Sequence, residues 1–122
     1  ARWDIPAETQ SLPGVQGGWF AMPDPAMFAQ FQSRYQSSFG EVPHQTAGLA
    51  YDGIAAIGAL AQRGDAISAT SLTQASGFVG VAGIFRLRSD GTNERGLAVA
   101  QIRNNQVVVI ENAPRSFRGA GL

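Results

Sequence analysis

The hydrophobic period of this chain changes once, and that change restricts the folds that it can adopt. From about residue 24 to residue 64, apolar side chains recur at helical spacing. From residue 82 to residue 111 they follow the spacing and composition of strands. One short apolar segment, "GGWFAM" (17–22), precedes the helices and is predicted to be a buried strand. With a short third helix, the order is β-α-α-α-β-β-β, which favours a layered α/β or α+β domain.

The first helix has clear start and stop signals. Asp24 can cap the free amides, Pro25 suits the first helical position, and Gly40 can end the helix in the left-handed conformation. Aromatic side chains in and before this helix have core spacing, although they could also line a ligand pocket. These are Trp19, Phe20, Phe28, Phe31, Tyr35 and Phe39.

The second and third helices follow. "TAGLAYDGIAAIGALAQRG" (46–64) predicts a helix whose core positions are Ala50, Ile54, Ile57 and Ala61. Its three internal glycines indicate close packing against a sheet or another helix. "SATSLTQASG" (68–77) predicts a short helix capped by Thr70 or Ser71.

Strands are predicted in "AGIFRLRS" (82–89), "RGLAVAQI" (95–102) and "QVVVIE" (106–111), with Asn104 and Asn105 as a tight hairpin connection. The glycines of "GFVGVAG" follow a helix and lead into a strand, the opposite of a dinucleotide-binding loop. They are therefore predicted to be a helix stop and a flexible entry into the strand. Residues 1–16 are predicted to be an irregular lead-in and residues 112–122 a flexible tail of one single unit, 1–122.

Composition argues against several classes of function. The net charge is zero, so nothing points to nucleic acid or an anionic membrane as a partner. The chain has no cysteine, one histidine (His44) and no apolar run of about 20 residues. No G-x-S-x-G elbow accompanies its serines. We expect no metal, no cofactor and no catalysis, and His44 is predicted to be a surface residue.

The segment "FRLRSDGTNERGLAV" (85–99) concentrates charge around one Asp-Gly pair. Asp90-Gly91 is a strong turn signal. We interpret the segment as a turn between two strands, in which Arg86, Arg88 and Arg95 are exposed and loosely paired with Asp90 and Glu94. A binding role for the arginines is the alternative.

Taken together, these segments resemble a known family. The pattern P-x-P, F-x-x-F-x-x-x-Y-x-x-x-F-G-x-x-P and A-x-x-Y-D-x-I-x-x-I (23–57), followed by "GIFRLRSDGTNERGLAVAQI" (83–102), is similar to type I periplasmic solute-binding proteins. Among these are the branched-chain amino-acid receptors of ABC transporters. The segment "FRLRSDGTNERGLAV" most closely resembles the sequences of lipoproteins of the penicillin-binding-protein activator branch. The resemblance runs from about Leu12 to Phe117.

The resemblance implies a partial type I periplasmic-binding-protein fold with three-layer packing and incomplete sheets. The chain would be the C-terminal portion of a two-lobed periplasmic protein that binds a small polar solute without catalysis. Such a protein is about three times longer, so the missing N-terminal part would be a partner, and a lipid anchor could lie there. The chain's start at Ala1 agrees with a removed segment or a fragment.

The resemblance also suggests site residues and an alternative. In branched-chain receptors an acidic residue before the first strand holds the ligand's ammonium, but "LPGVQ" (12–16) has no acid here. A cationic residue beside the closing turn reaches the ligand in related ectodomains, and Arg88 is the nearest match. The candidate ligand-binding residues are Arg88, Arg86 and Trp19. The alternative function is an activator lipoprotein that contacts a cell-wall synthase, and exposed strand edges predict a homodimer.

Overall fold

The structure, a computed structural model, describes residues 6–117. In this part of the chain the helices are α1 (Ala7–Gln10), α2 (Pro25–Phe39), α3 (Ala47–Gln62) and α4 (Ala69–Leu72), with a 3-10 turn at Pro13–Val15. The strands are β1 (Trp19–Met22), β2 (Phe78–Gly80), β3 (Gly83–Leu87), β4 (Asn93–Arg95), β5 (Ala98–Arg103) and β6 (Gln106–Glu111). The predicted mixture of helices and strands is confirmed, with two short strands that were not predicted.

The strands form two small antiparallel sheets in the orders β1-β5-β6 and β2-β3-β4. β5 is the central strand of the first sheet, where Ala98, Ala100 and Ile102 are fully buried and alternate with less buried residues. Asn104 and Asn105 connect β5 to β6 with φ values of 50° and 63°, which confirms the predicted tight hairpin.

Helix α2 begins and ends where the sequence predicts. The Asp24 carboxylate accepts hydrogen bonds from the N–H groups of Ala26 (3.0 Å) and Met27 (3.1 Å), and Pro25 occupies the first turn. Gly40 ends the helix with φ of 75°, and its N–H donates to the Gln36 carbonyl. Local signals are sufficient for this element.

Helix α3 has the predicted extent but buries a different face. Its buried residues are Gly48, Asp52, Ala56 and Leu60. The predicted core positions Ala50, Ile54, Ile57 and Ala61 are all exposed, so that prediction is wrong. The helix is apolar on both sides, and periodicity alone could not decide which side packs on the sheet.

The core lies between α3 and the second sheet. Ala56 and Leu60 of α3 pack against Phe78 of β2 and Phe85 of β3, whose rings are 5.7 Å apart between centroids. Leu72 of α4 lies against the same cluster. This cluster fixes α3 relative to the strand hairpin.

Several predicted boundaries differ from the structure. The lead-in contains α1 and a 3-10 turn, although residues 1–5 lie outside the described part. The N-cap of α4 is Ser68, which shares a reciprocal capping box with Ser71, and neither Thr70 nor Ser71 is the N-cap. Ala113 and Phe117, in the predicted flexible tail, are buried, and residues 118–122 lie outside the described part.

Candidate functional site

Arg86 and Arg88, two of the predicted ligand-binding residues, lie on and just after β3 and converge on one carboxylate. Arg86 Nε donates to one oxygen of Glu94 on β4, and Arg88 Nη1 lies 2.5 Å from the other oxygen. Arg86 also donates to the Ala75 carbonyl (3.1 Å), and its guanidinium lies 4.5 Å from the centre of the Phe117 ring. These contacts hold a hairpin and two loops together.

The hairpin turn itself follows the prediction. Asp90 accepts hydrogen bonds from the Thr92 hydroxyl (2.6 Å) and the Thr92 N–H (2.9 Å), and these bonds lower the pKa of its carboxyl. Gly91 has φ of 86°, a conformation that favours glycine. The hydrogen bond from Arg86 likewise lowers the pKa of Glu94, with help from the charges of Arg86 and Arg88.

Arg95 differs from its predicted environment. Like Arg86, whose side chain is only 22% exposed, it was expected to be an exposed charge loosely paired with Asp90 and Glu94, but its own side chain is only 26% exposed. Its Nη1 lies 3.4 Å from the buried carboxylate of Asp52, and its guanidinium lies 5.0 Å from the centre of the Phe85 ring. Arg95 therefore contributes to the contact between α3 and the second sheet.

Trp19, the third predicted ligand-binding residue, lies on the edge strand β1 and is 67% exposed. It belongs to the first sheet, whereas Arg86 and Arg88 border the second. The structure brings the two arginines together through Glu94 and shows no contact between them and Trp19 among the described residues. Of the aromatic residues predicted to be core, only Phe31 is fully buried.

A mainly apolar groove with a few polar side chains lies elsewhere, where β1 ends and helices α2 and α3 begin. Its volume is about 420 Å³. The polar side chains are Gln32, His44, Gln45 and Thr46, and the apolar ones include Met22, Phe28, Leu49 and Ala82. An apolar pocket with a few convergent polar groups is the usual form of a small-molecule site. We call it the β1–α3 groove.

His44 is held in place at the β1–α3 groove. Its Nδ1 lies 2.8 Å from the Thr46 hydroxyl and accepts a hydrogen bond from the Thr46 N–H at 3.3 Å. With Nδ1 as acceptor, the neutral ring carries its proton on Nε2, which can donate to a ligand. His44 is exposed and lies in the linker, as predicted, but the sequence did not assign it to a site. The only signal available was a polar "HQT" directly before a helix.

The start of α3 adds a favourable field to the groove. Thr46 is the N-cap residue, and its side chain makes no capping hydrogen bond. The amino end of a helix carries partial positive charge, and at this end the N–H groups of Thr46 and Ala47 already donate to His44. Because no carboxylate lines this groove, it suits a carboxylate or another acceptor-rich group of a ligand.

Two further findings concern metal binding and membrane-spanning helices. Among the described residues, no three His, Cys, Asp or Glu side chains cluster in a way that could hold a metal ion. No helix in residues 6–117 has the length and apolar character needed to cross a membrane.

Solved structures share the fold of this chain. No family model and no curated protein matches the sequence. A protein from Rhodospirillum rubrum, described as a branched-chain amino acid ABC transporter, is 22% identical over 87% of this chain and 34% of its own, with a TM-score of 0.67. The leucine-binding protein LivK from Thermotoga maritima is 18% identical over 88% of this chain and 34% of its own, with a TM-score of 0.50.

The chain therefore spans about a third of the length of these proteins. The likeness covers 87% of this chain, which contains two antiparallel sheets and the helices, and it confirms the predicted fold class. The chain has part of a type I periplasmic binding-protein fold.

Proposed function

We propose that this chain is the non-catalytic, solute-binding C-terminal portion of a periplasmic binding protein of an ABC transporter. The observation that carries the proposal is the shared fold with the Rhodospirillum rubrum protein over 87% of the chain. One of the two similar structures is described as a branched-chain amino acid ABC transporter, and the other as a leucine-binding protein. The ligand would be a small polar solute, such as an amino acid or an amide, bound between this portion and a second lobe in the periplasm.

The β1–α3 groove is our proposed contribution to that site. Gln32 and Thr46 carry hydrogen-bonding groups at the groove, and His44 carries an N–H donor beside the amino end of α3. Met22 and Phe28 supply apolar surface. A solute held this way keeps its polar groups paired when water is excluded.

The arginines near the hairpin turn are the competing site. Arg88 is 53% exposed at its side chain and could present its remaining donors to a ligand. Its guanidinium is already paired with Glu94 at 2.5 Å, so a ligand carboxylate would compete with that contact. Arg86 is paired with the same carboxylate, and Trp19 lies in the other sheet. We therefore favour the groove.

A thermal-shift screen tests the proposal. The complete protein is heated with amino acids, amides or small sugars, and a ligand that binds only the folded state raises the melting temperature in a saturable way. His44→Ala should reduce the shift, whereas Arg88→Ala should leave it unchanged. The opposite pattern would move the site to the hairpin turn. No shift with any class of solute would reject a solute-binding role.

The second candidate is a protein–protein role in cell-wall synthesis, as in the penicillin-binding-protein activators. The β1–α3 groove has no carboxylate to pair with a ligand ammonium, and "LPGVQ" (12–16) has none either. Such an activator would be periplasmic, could be lipid-anchored through a segment outside this chain, and would bind a cell-wall synthase. Recovery of a synthase with the purified complete protein, without a thermal shift, would support this role over transport.

A further inference from the structure

Helix α3 presents an apolar face to solvent. From Ala47 to Gln62 the only formal charge is Asp52, which is buried on the opposite side. Ile54 and Ile57 are 73% and 40% exposed. A helix that is apolar all round is normally buried on all sides. We call the exposed side, formed by Ala50, Ile54, Ile57 and Ala61, the α3 outer face.

An aromatic groove continues this face onto α2. Tyr51 packs against Phe31 with tilted rings whose centroids are 5.4 Å apart, and Tyr35 packs against Phe39 in a similar tilted arrangement at 4.7 Å. These rings line a groove of about 510 Å³ together with Arg34, Ser38, Ala47, Ala50 and Ile54. Phe39 is 68% exposed at its open end. Phe31 is buried beneath this surface, whereas Phe39 and Tyr51 are exposed along it.

The α3 outer face also allows very close approach. A Cβ atom added at Gly53 or Gly58 would meet nothing within 4 Å, so the helix backbone is open at both positions. Small residues at helix surfaces let a packed partner come near the backbone. The α3 outer face itself carries no charge. An uncharged, apolar surface of this kind resembles an obligate interface, whose composition is close to that of a domain interior.

We propose that the α3 outer face and its aromatic groove are covered by polypeptide of the same protein that lies outside this chain. This inference rests on the proposed function, in which the chain is one portion of a two-lobed protein. The similar structures are about three times as long as the matched portion, since only 34% of each is covered. Polypeptide in that additional length would pack permanently against the α3 outer face. Such packing is expected because monomeric proteins seldom leave large apolar patches exposed.

Thiol labelling tests this proposal, because the 122-residue chain has no cysteine. Ile54→Cys places one thiol on the α3 outer face, and Thr70→Cys places a matched one at an exposed position of α4. Each variant is made in the 122-residue chain and in the complete gene product. Maleimide labelling is followed by mass spectrometry of tryptic peptides 35–63 and 64–86, which carry the two thiols separately.

The thiol at position 54 should react in the 122-residue chain and react roughly tenfold or more slowly in the complete product, where covering must open first. The thiol at position 70 should react at similar rates in both. Equal rates at position 54 would overturn the proposal, as would a gene product of only these 122 residues. Protection in the 122-residue chain that disappears on dilution would assign the surface to a second copy instead.

The outcome is separable from the solute-binding proposal. Protection at position 54 without any thermal shift would reject the ligand and keep the interface. A thermal shift with equal labelling rates at position 54 would keep the ligand and reject the interface.

Discussion

The carboxylate of Asp52 accepts a hydrogen bond of 2.7 Å from the backbone N–H of Val81, across 29 positions of sequence. Asp52 is 1% exposed, and its other oxygen faces Arg95 at 3.4 Å. Gly80 comes so close to the carboxylate that any side chain there would overlap it. The contact joins α3 to the end of β2 on the buried side of the helix, the side from which Ala56 and Leu60 also pack against the second sheet.

Replacing Asp52 by alanine should destabilise the 122-residue chain. The substitution leaves the Val81 N–H and part of the Arg95 guanidinium without their acceptor, which costs about 2–3 kcal/mol. The measurement is urea unfolding. Asp65→Ala is the matched control, because Asp65 pairs with Arg63 at the exposed end of the same helix, and its loss should cost less than about 1 kcal/mol. Equal losses of unfolding free energy in the two variants would show that the buried contact stabilises the chain no more than an exposed ion pair does.

Substitutions at two glycines, one facing the buried side of α3 and one on its exposed side, should change stability in opposite directions. Gly80→Ala forces a methyl group onto the Asp52 carboxylate and should cost about 1–3 kcal/mol. Gly58→Ala places its methyl group in open space on a helix and should stabilise the chain by up to about 1 kcal/mol. Denaturation midpoints of the two variants, compared with the parent chain, check both signs. A stabilising Gly80→Ala would contradict the close approach of β2 to α3.

The sequence predicted those parts of the fold that depend on neighbouring residues. Asp24, Pro25 and Gly40 act within one helical turn, so the limits of α2 could be read directly. Asn104 and Asn105 tolerate positive φ, so the last hairpin could also be read. Each of these signals is local and is nearly independent of tertiary packing.

The sequence-based predictions are wrong or incomplete where the structure depends on contacts between residues that are distant in the chain. Helix α3 has two apolar sides, and the buried one makes the contact between Asp52 and Val81, which no local pattern reveals. Strands β2 and β4 have three residues each, too few to show a period. The β1–α3 groove joins residues from Met22 to Ala82 that only folding brings together. The sequence could therefore indicate the fold class but not this candidate site.

The hairpin at Asn104 and Asn105 should respond to residues that resist positive φ. Asn104→Val places a β-branched side chain at φ of 50° and should cost about 1–2 kcal/mol. Asn105→Gly keeps the turn and should leave stability unchanged or slightly raised. Thermal unfolding of both variants is the measurement. If Asn104→Val were neutral, the turn would have to adopt a different conformation.

Acid should weaken the hairpin of β3 and β4 through Glu94. Its pKa is lowered in the folded chain, first by the hydrogen bond from Arg86 and then by the charges of Arg86 and Arg88. A lowered folded-state pKa means that the stabilisation is present above the unfolded-state value, roughly 4.3, and is lost as the pH falls through the folded-state value. Glu94→Gln should therefore be less stable than the parent chain at pH 7. The difference should shrink as the pH falls below the unfolded-state value and should disappear below the folded-state value. Urea midpoints across this range measure the difference. At pH 7, about 1 M salt should also reduce the difference in stability, because exposed ion pairs are screened. A difference in stability that grew on acidification would contradict the pairing of Glu94 with both arginines.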